Sequence, residues 1–388
     1  MASHLMVVSA NGGVPMMMVD ERERPGFKPM DPDEFERRWK ALPTSDTLFE
    51  PIDPDGLKPD ELAARVAEAL EKTGIIVIRS SAANGAVRDA LQQEIGKFFA
   101  LPDEVAAETE TRDGQGGITP EHTEHPQDQA VFVAGLDEAN RPFPEQYRRD
   151  PKKRLMLGYG PRRASTHFPR LLASTTILPG FDRLDQLKDE WGDSMMVDAK
   201  RILGAYARRY QLDPSIFDLS FGAHFVAPTG INLRERPPST VAAGLHSDMG
   251  VLTGHERSMA YFSDDHRLVA CGGLVAWTRG GKMFRVVVPE GYRLFQAGMQ
   301  LEWITDGRVL AGMHQVVVPP SAKALAAQAA VAGAQVSRVT STLFFHYDAD
   351  RKASVPEAFR TPGKTYKEIY LGKLDDEVLD KIFAPDVD

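Results

Sequence analysis

The chain has 388 residues, 42% of them apolar and 26% charged, with 55 acidic side chains against 46 basic ones and a net charge of −9. That balance supports a large core, rules against wholesale disorder or a fibrous repeat, and, with no Lys/Arg stripe, argues against nucleic acid as a partner. No apolar run nears the roughly 20 residues of a membrane-spanning helix, and the single cysteine, Cys271, cannot form an internal disulfide, so the chain reads as a soluble cytoplasmic protein with one buried thiol.

Residues 1–45 open on a methionine-rich stretch short of charge and are expected to be disordered or extended. Residues 46–220 read as a helix-rich region packed on the core. Within it, DELAARVAEAL from Asp60 to Leu70 has apolar residues at helical spacing with acids in its first turn, which predicts an amphipathic helix that Gly74 stops. Ile75, Ile76, Val77 and Ile78 then make a β-branched run suited to a buried strand. A second helix is expected to end in GKFFALP, from Gly96 to Pro102. Residues 103–169 are charged and punctuated by Pro and Gly, which predicts surface excursions and a lid. A long helix follows from Leu184 to Tyr210, its apolar face made by Trp191, Met195, Met196, Ala199, Ile202, Leu203 and Tyr206.

From Phe221 the chain turns to short β-rich runs, HFVA, GLVAW, MFRVVV, YRLFQAG, HQVVVP and VTSTLFF, separated by turn residues. Such spacing predicts a sandwich, barrel or jelly roll over residues 221–350. SAKALAAQAAVAGAQV, residues 321–336, is so rich in alanine that a helix inserted between two core strands is expected. Residues 351–388 read as a helical tail, and the whole chain as one structural unit of the α+β class with a mainly β core.

Four side chains carry the candidate chemistry. In GLHSDMG, His246 and Asp248 stand two apart, so on a strand they project to one face and can share a cation. An isolated H-x-D pair is common; His314, at the start of another apolar strand, adds the third ligand. Two imidazoles and a carboxylate form a facial triad that leaves positions open on a bound iron for a bidentate acid and dioxygen. Arg338 in SRVTSTLFF offers a fork for a carboxylate, with Thr340 or Ser341 as a hydroxyl beside it. Each also has a plainer reading, as a surface pair and a strand-end arginine. No C-x-x-C pair, phosphate-cradling glycine loop or nucleophile elbow competes.

The order of these motifs resembles the isopenicillin N synthase family of 2-oxoglutarate/Fe(II) dioxygenases. The resemblance rests on the strand, helix and KFFALP phrase between Glu50 and Val105, on GLHSDMGVLT from Gly244 to Thr253, on GYRLFQAGMQLEWITDGRVLAGMHQVVVP from Gly291 to Pro319, and on SRVTSTLFF. It implies a double-stranded β-helix, a cupin-like jelly roll, with flanking helices. It also implies Fe(II) held by His246, Asp248 and His314, and 2-oxoglutarate chelating the metal while Arg338 holds its distal carboxylate. With O2, the cosubstrate is then broken to succinate and CO2 while a small molecule, natural-product-like or amino-acid-derived, is hydroxylated, desaturated or cyclised. The presence of Asp248 argues against halogenation. An oxidase of the same fold that uses no 2-oxoglutarate, and a catalytically silent binding protein, are the alternatives.

The sequence departs from the family pattern in three places. The hydroxyl after the arginine is displaced, so Thr340 and Ser341 both remain candidates, and a bulge would repair the register. INLRERPP carries Arg234 and Arg236 where the family has asparagine and tyrosine. The alanine-rich insertion is the third. Candidate substrate contacts are Arg162, His167, Phe225, Arg234, Arg236 and His255. No coiled-coil heptad marks an oligomer.

Overall fold

Gly74 has φ 66°, the left-handed backbone that closes a helix at no Cβ cost, and it ends the helix Pro59–Thr73 where the pattern predicts. Leu310 O would lie 2.9 Å from a Cβ there, so the turn is also too tight for a side chain. The chain leaves this turn directly into a strand buried at four of its five positions. The computed structural model describes residues 30–102 except 81, 116–172 except 162, and 179–385 except 363–365 and 367, together with 27 and 105.

Fifteen strands are present among the described residues. They are β1 Ile75–Arg79, β2 Gly117–Thr119, β3 Lys153–Tyr159, β4 His224–Val226, β5 Thr229–Asn232, β6 Val241–His246, β7 Leu252–His255 and β8 Met259–Phe262. The remainder are β9 Leu268–Ala270, β10 Leu274–Trp277, β11 Met283–Arg285, β12 Tyr292–Ala297, β13 His314–Val317, β14 Val336–Thr340 and β15 Thr342–Phe345. An 11-stranded sheet runs in the order β1-β12-β7-β15-β4-β3-β5-β14-β8-β9, with β2 on the edge of β3, and a four-stranded sheet runs β11-β10-β13-β6. All these pairings are antiparallel, the hallmark of a jelly roll rather than a wound α/β sheet.

Helices Pro59–Thr73, Gly85–Phe99 and Asp182–Arg209 cover the outer face of the large sheet. The longest buries Trp191, Met195, Ile202, Leu203 and Tyr206 to 1% exposure or less, each worth roughly 2–3 kcal/mol of transfer free energy. The alanine-rich segment folds as the helix Ala322–Ala332 between β13 and β14, and packs Ala322, Leu325 and Ala329 against Val336 and Ile231. Helix Leu371–Ile382 closes the chain against Phe168, Ala349 and the end of the large sheet. No described helix is long and apolar enough to cross a membrane.

Two expectations need correction. The stretch expected to be disordered or extended as far as residue 45 contains a helix, Pro32–Ala41, capped by Asp31 and anchored by Phe35 against Phe143; residues 1–26 lie outside the described residues. The segment expected to supply surface excursions contains β3, which pairs with β4 and β5 in the middle of the large sheet. The basic run KKR, from Lys152 just before it to Arg154, gives it a surface look.

Candidate metal centre and cavity

His246 ends β6 and His314 opens β13, and the two are register partners across that antiparallel pair. Their rings face each other with centroids 4.1 Å apart. Each ring is fixed in the same way: Nδ1 of His246 donates to Gly244 O at 2.7 Å, and Nδ1 of His314 to Gly312 O at 2.9 Å. A carbonyl only accepts, so both Nδ1 atoms carry the proton and both Nε2 lone pairs are left for another partner.

Asp248 supplies it. Its Oδ1 lies 3.7 Å from His246 Nε2 and 3.9 Å from His314 Nε2, and its Oδ2 is buried with no hydrogen-bond partner. The loop carrying Asp248 is pinned by Met299 N donating to its carbonyl at 2.8 Å, and it runs so close to Gly298 that a Cβ there would meet Gly250 O at 2.1 Å. The three ligand atoms lie within 4.8 Å of one another. Burial, with His314 beside it, pushes the His246 imidazole down to about 3, and Asp248 is held below its usual range by His314 and His246 against the opposing effect of burial. Two imidazoles tethered through Nδ1 and an orphaned carboxylate oxygen facing one point fit a divalent cation, and the donor set suits Fe(II).

The triad lies on the wall of a cavity of about 650 Å³, lined mainly by apolar side chains including Met156, Phe225, Met249 and Phe344. Arg338 lines the same cavity from β14, with 3% of the residue exposed. Its Nε donates to Gly272 O at 2.6 Å and its Nη2 to Ser258 Oγ at 2.8 Å. No described carboxylate pairs with it, and burial lowers its pKa without removing its charge. Thr340 shares the Arg338 face of the strand, lines the cavity, and lies 2.9 Å from the same Ser258 Oγ. Ser341 points the other way, outside the cavity lining, and is 1% exposed. Strand alternation therefore places Thr340 rather than Ser341 beside the guanidinium.

The candidate substrate contacts separate sharply. Phe225 and His255 line the cavity. Arg234 is exposed and donates to Ala334 O, and Arg236 is committed to Glu121 and to the Tyr147 hydroxyl at 3.2 Å; neither lines the cavity. The expectation that they meet substrate is corrected, because the turn after β5 leaves Arg234 exposed and packs Arg236 against Glu121 and Tyr147, away from the cavity lining. His167 is also corrected: it sits on the surface with its Nδ1 2.9 Å from Asp350. Arg162 lies outside the described residues.

His255 is held at both nitrogens. The Gln296 side-chain amide faces its Nε2 at 2.9 Å, which leaves Nδ1–H to donate to Thr342 Oγ1 at 3.1 Å. Burial pushes this imidazole down to about 4.

Sequence reasoning missed Ser258, in the turn between β7 and β8, because a lone serine carries no signal. It also missed Lys152 and Arg154, which line the cavity beside Glu124 and Asp150. Lys152 Nζ is 2.9 Å from Glu124 Oε2 and is also paired with Asp150, and Arg154 Nη2 is 2.5 Å from Glu124 Oε1. Arg154 and Lys152 outweigh burial and hold Glu124 at about 2, whereas burial pushes Asp150 up. The alternation of cavity-facing Lys152, Arg154 and Met156 with core-facing Leu155 and Leu157 was the available signal.

No protein-family model matches the sequence, and no curated protein is similar to it. Solved structures do share its fold. A 2OG-Fe(II) oxygenase family protein of Caulobacter crescentus superposes with a TM-score of 0.65 at 17% identity, over 86% of this chain and 98% of its own. A full-length Neurospora crassa protein in complex with alpha-KG and thymine gives 0.59 at 17% identity, over 87% and 96%. The rice dioxygenase for auxin oxidation gives 0.57 at 15% identity, over 87% and 95%. At these identities the likeness establishes the jelly-roll fold of such oxygenases.

Proposed function

We propose that this protein is an Fe(II) and 2-oxoglutarate-dependent dioxygenase of the isopenicillin N synthase-like kind, acting on a small molecule that enters the cavity beside His246, Asp248 and His314. The observation that carries the reading is Arg338: a buried guanidinium in the wall of the triad's own cavity with no described carboxylate to pair with it. Leaving such a charge unpaired costs several kcal/mol, so an anion that arrives with the ligand is the natural counterpart. The dicarboxylate 2-oxoglutarate would give one carboxylate to Arg338 and leave its other end free to reach the metal site. The structural neighbours, one bound to alpha-KG, point the same way.

Bound iron, 2-oxoglutarate and O2 together supply the oxidising power, with succinate and CO2 released. The chain's own residues then have four tasks. His246, Asp248 and His314 would hold the metal at the cavity wall. Arg338, with Ser258 and Thr340 arranging the hydroxyls beside it, sets the direction of the cosubstrate. The apolar wall of Met156, Phe225, Met249 and Phe344 excludes water from the reacting carbon. The Nδ1 bonds to Gly244 and Gly312 prevent the two imidazoles from rotating away.

The test is succinate. Purified protein with Fe(II), O2 and 2-oxoglutarate should release succinate, and a matching substrate should accelerate the release. Iron-loaded protein that neither binds nor consumes 2-oxoglutarate would instead be an oxidase whose substrate carboxylate meets Arg338, and protein that binds no iron would be a silent member of the fold.

A further inference from the structure

The Lys152–Arg154 pair is the only group of cavity-lining cations among the described residues apart from Arg338 and the surface-reaching Arg257. We propose that Arg154, supported by Lys152 and Glu124, is a substrate subsite that receives an oxygen acceptor, a carboxylate or an amide-type carbonyl, at one end of an otherwise apolar molecule. This rests on reading the cavity as a substrate chamber.

The strand register places the subsite. Arg154 of β3 stands opposite Thr229 of β5, and Thr229 stands opposite Thr340 of β14. Directly opposed residues share a face of an antiparallel sheet, so Arg154, Thr229 and Thr340 form one row across the cavity wall. Two strand spacings separate its ends, about 10 Å. Arg338 is tied to Gly272 O and Ser258 Oγ whereas Arg154 is tied to Glu124, so the two guanidiniums are anchored at different points of the cavity wall, and Arg154 marks a second locus. The metal side is close: Gly244 N, two residues before the ligand His246, donates to Asp150 Oδ1 at 3.0 Å, and the Lys152 charge acts on His246 itself.

The hydrogen-bond inventory states what the subsite takes. Asp150 accepts from Gly244 N with one oxygen and from Lys152 with the other. Glu124 spends Oε2 on Lys152 and Oε1 on Arg154. Each of these carboxylates has a cation against it, the Arg154 Nη2–Glu124 Oε1 contact being an ion pair without well-formed hydrogen-bond geometry, whereas Arg154 has five N–H protons and one carboxylate neighbour among the described residues, and its Nε is buried with no hydrogen-bond partner. The valence left over is donor valence, in the planar fork that suits a carboxylate or carbonyl oxygen. Glu124 keeps the fork from collapsing onto another partner before the substrate arrives. Beyond the fork, Met156, Ala227 and Phe225 offer only apolar surface, which suits a hydrocarbon or aromatic body.

The test uses three probes of one shape: 3-(4-fluorophenyl)propanoate, its primary amide and the corresponding alcohol. Binding is followed by fluorine NMR on Zn(II)-loaded protein, with saturating 2-oxoglutarate and without it. The subsite predicts that acid or amide binds at least about tenfold tighter than the alcohol, the worth of a charge-assisted hydrogen bond. Arg154→Met should remove that preference, Arg154→Lys should restore part of it, and Arg338→Ala should leave it intact while weakening 2-oxoglutarate. Preference for the acid over the amide, or the reverse, identifies the acceptor. Equal binding of all three probes, binding of none, or a preference that survives Arg154→Met in protein with an unchanged melting temperature overturns the proposal. Because no step depends on turnover, a protein that fails to consume 2-oxoglutarate but still prefers the acceptor probes would refute the proposed reaction and keep the subsite.

Discussion

His246 and His314 are direct partners across the β6–β13 pair, each tethered by Nδ1 to the carbonyl two residues before it. A site so fixed before metal arrives should lose affinity steeply when a ligand is deleted. His246→Ala and His314→Ala are each expected to weaken Fe(II) binding by more than about 100-fold, since even outer-shell changes cost 10–100-fold. Metal titration by calorimetry measures it, and retention of stoichiometric tight iron in either variant would disqualify the triad.

Ser258 Oγ links the Arg338 guanidinium to the Thr340 hydroxyl at 2.8 and 2.9 Å. Ser258→Ala should raise the KM for 2-oxoglutarate roughly fivefold with little change in kcat, as expected for one lost hydrogen bond. Ser341→Ala, on the opposite face of the strand, should leave KM unchanged. The reverse pattern would mean that the hydroxyl partner is Ser341.

His255 carries a pH dependence whose sign is fixed. Burial lowers its pKa from 6.5 to about 4, so the folded protein keeps it neutral where the unfolded chain protonates it. Its contribution is fully present above the unfolded pKa and is lost as pH falls from about 6.5 to about 4, roughly 3 kcal/mol over that window. Urea unfolding of the metal-free protein between about pH 7 and pH 5 should therefore show a slope shallower by about one proton in His255→Asn. Identical slopes would show that His255 takes up its proton in the folded state.

Arg293 joins helix Asp182–Arg209 to the large sheet through Asp198 at 2.6 Å and Glu256 at 2.9 Å, all three groups being almost wholly buried. Arg293→Met strands two carboxylates in the interior and should cost about 3–5 kcal/mol in denaturant unfolding. Removing the more exposed Arg201, 3.1 Å from Asp55, should cost less than about 1 kcal/mol. Comparable losses would mean that the buried network relaxes or admits water.

Much of this arrangement is legible in the sequence wherever a local period decides the outcome. The β-branched run after Gly74, the long apolar face from Trp191 to Tyr206 and the alanine helix before β14 all state their structure locally. The H-x-D spacing likewise puts His246 and Asp248 together. What stays hidden depends on pairing between distant segments. KKR at the head of β3 looks like surface until β4 and β5 are seen to flank it, and only then do Lys152 and Arg154 face inward. The same pairing decides between Thr340 and Ser341, and the turn after β5 takes Arg234 and Arg236 out of the cavity lining.

The central claim is that iron at the triad and 2-oxoglutarate at Arg338 share one cavity. Anaerobic titration of the protein with Fe(II) and then 2-oxoglutarate, followed in the visible spectrum, tests it most directly. The account predicts a weak charge-transfer band in the wild type that demands far more 2-oxoglutarate in Arg338→Ala. A wild type that holds stoichiometric iron yet develops no band, or a band indifferent to Arg338→Ala, would contradict it.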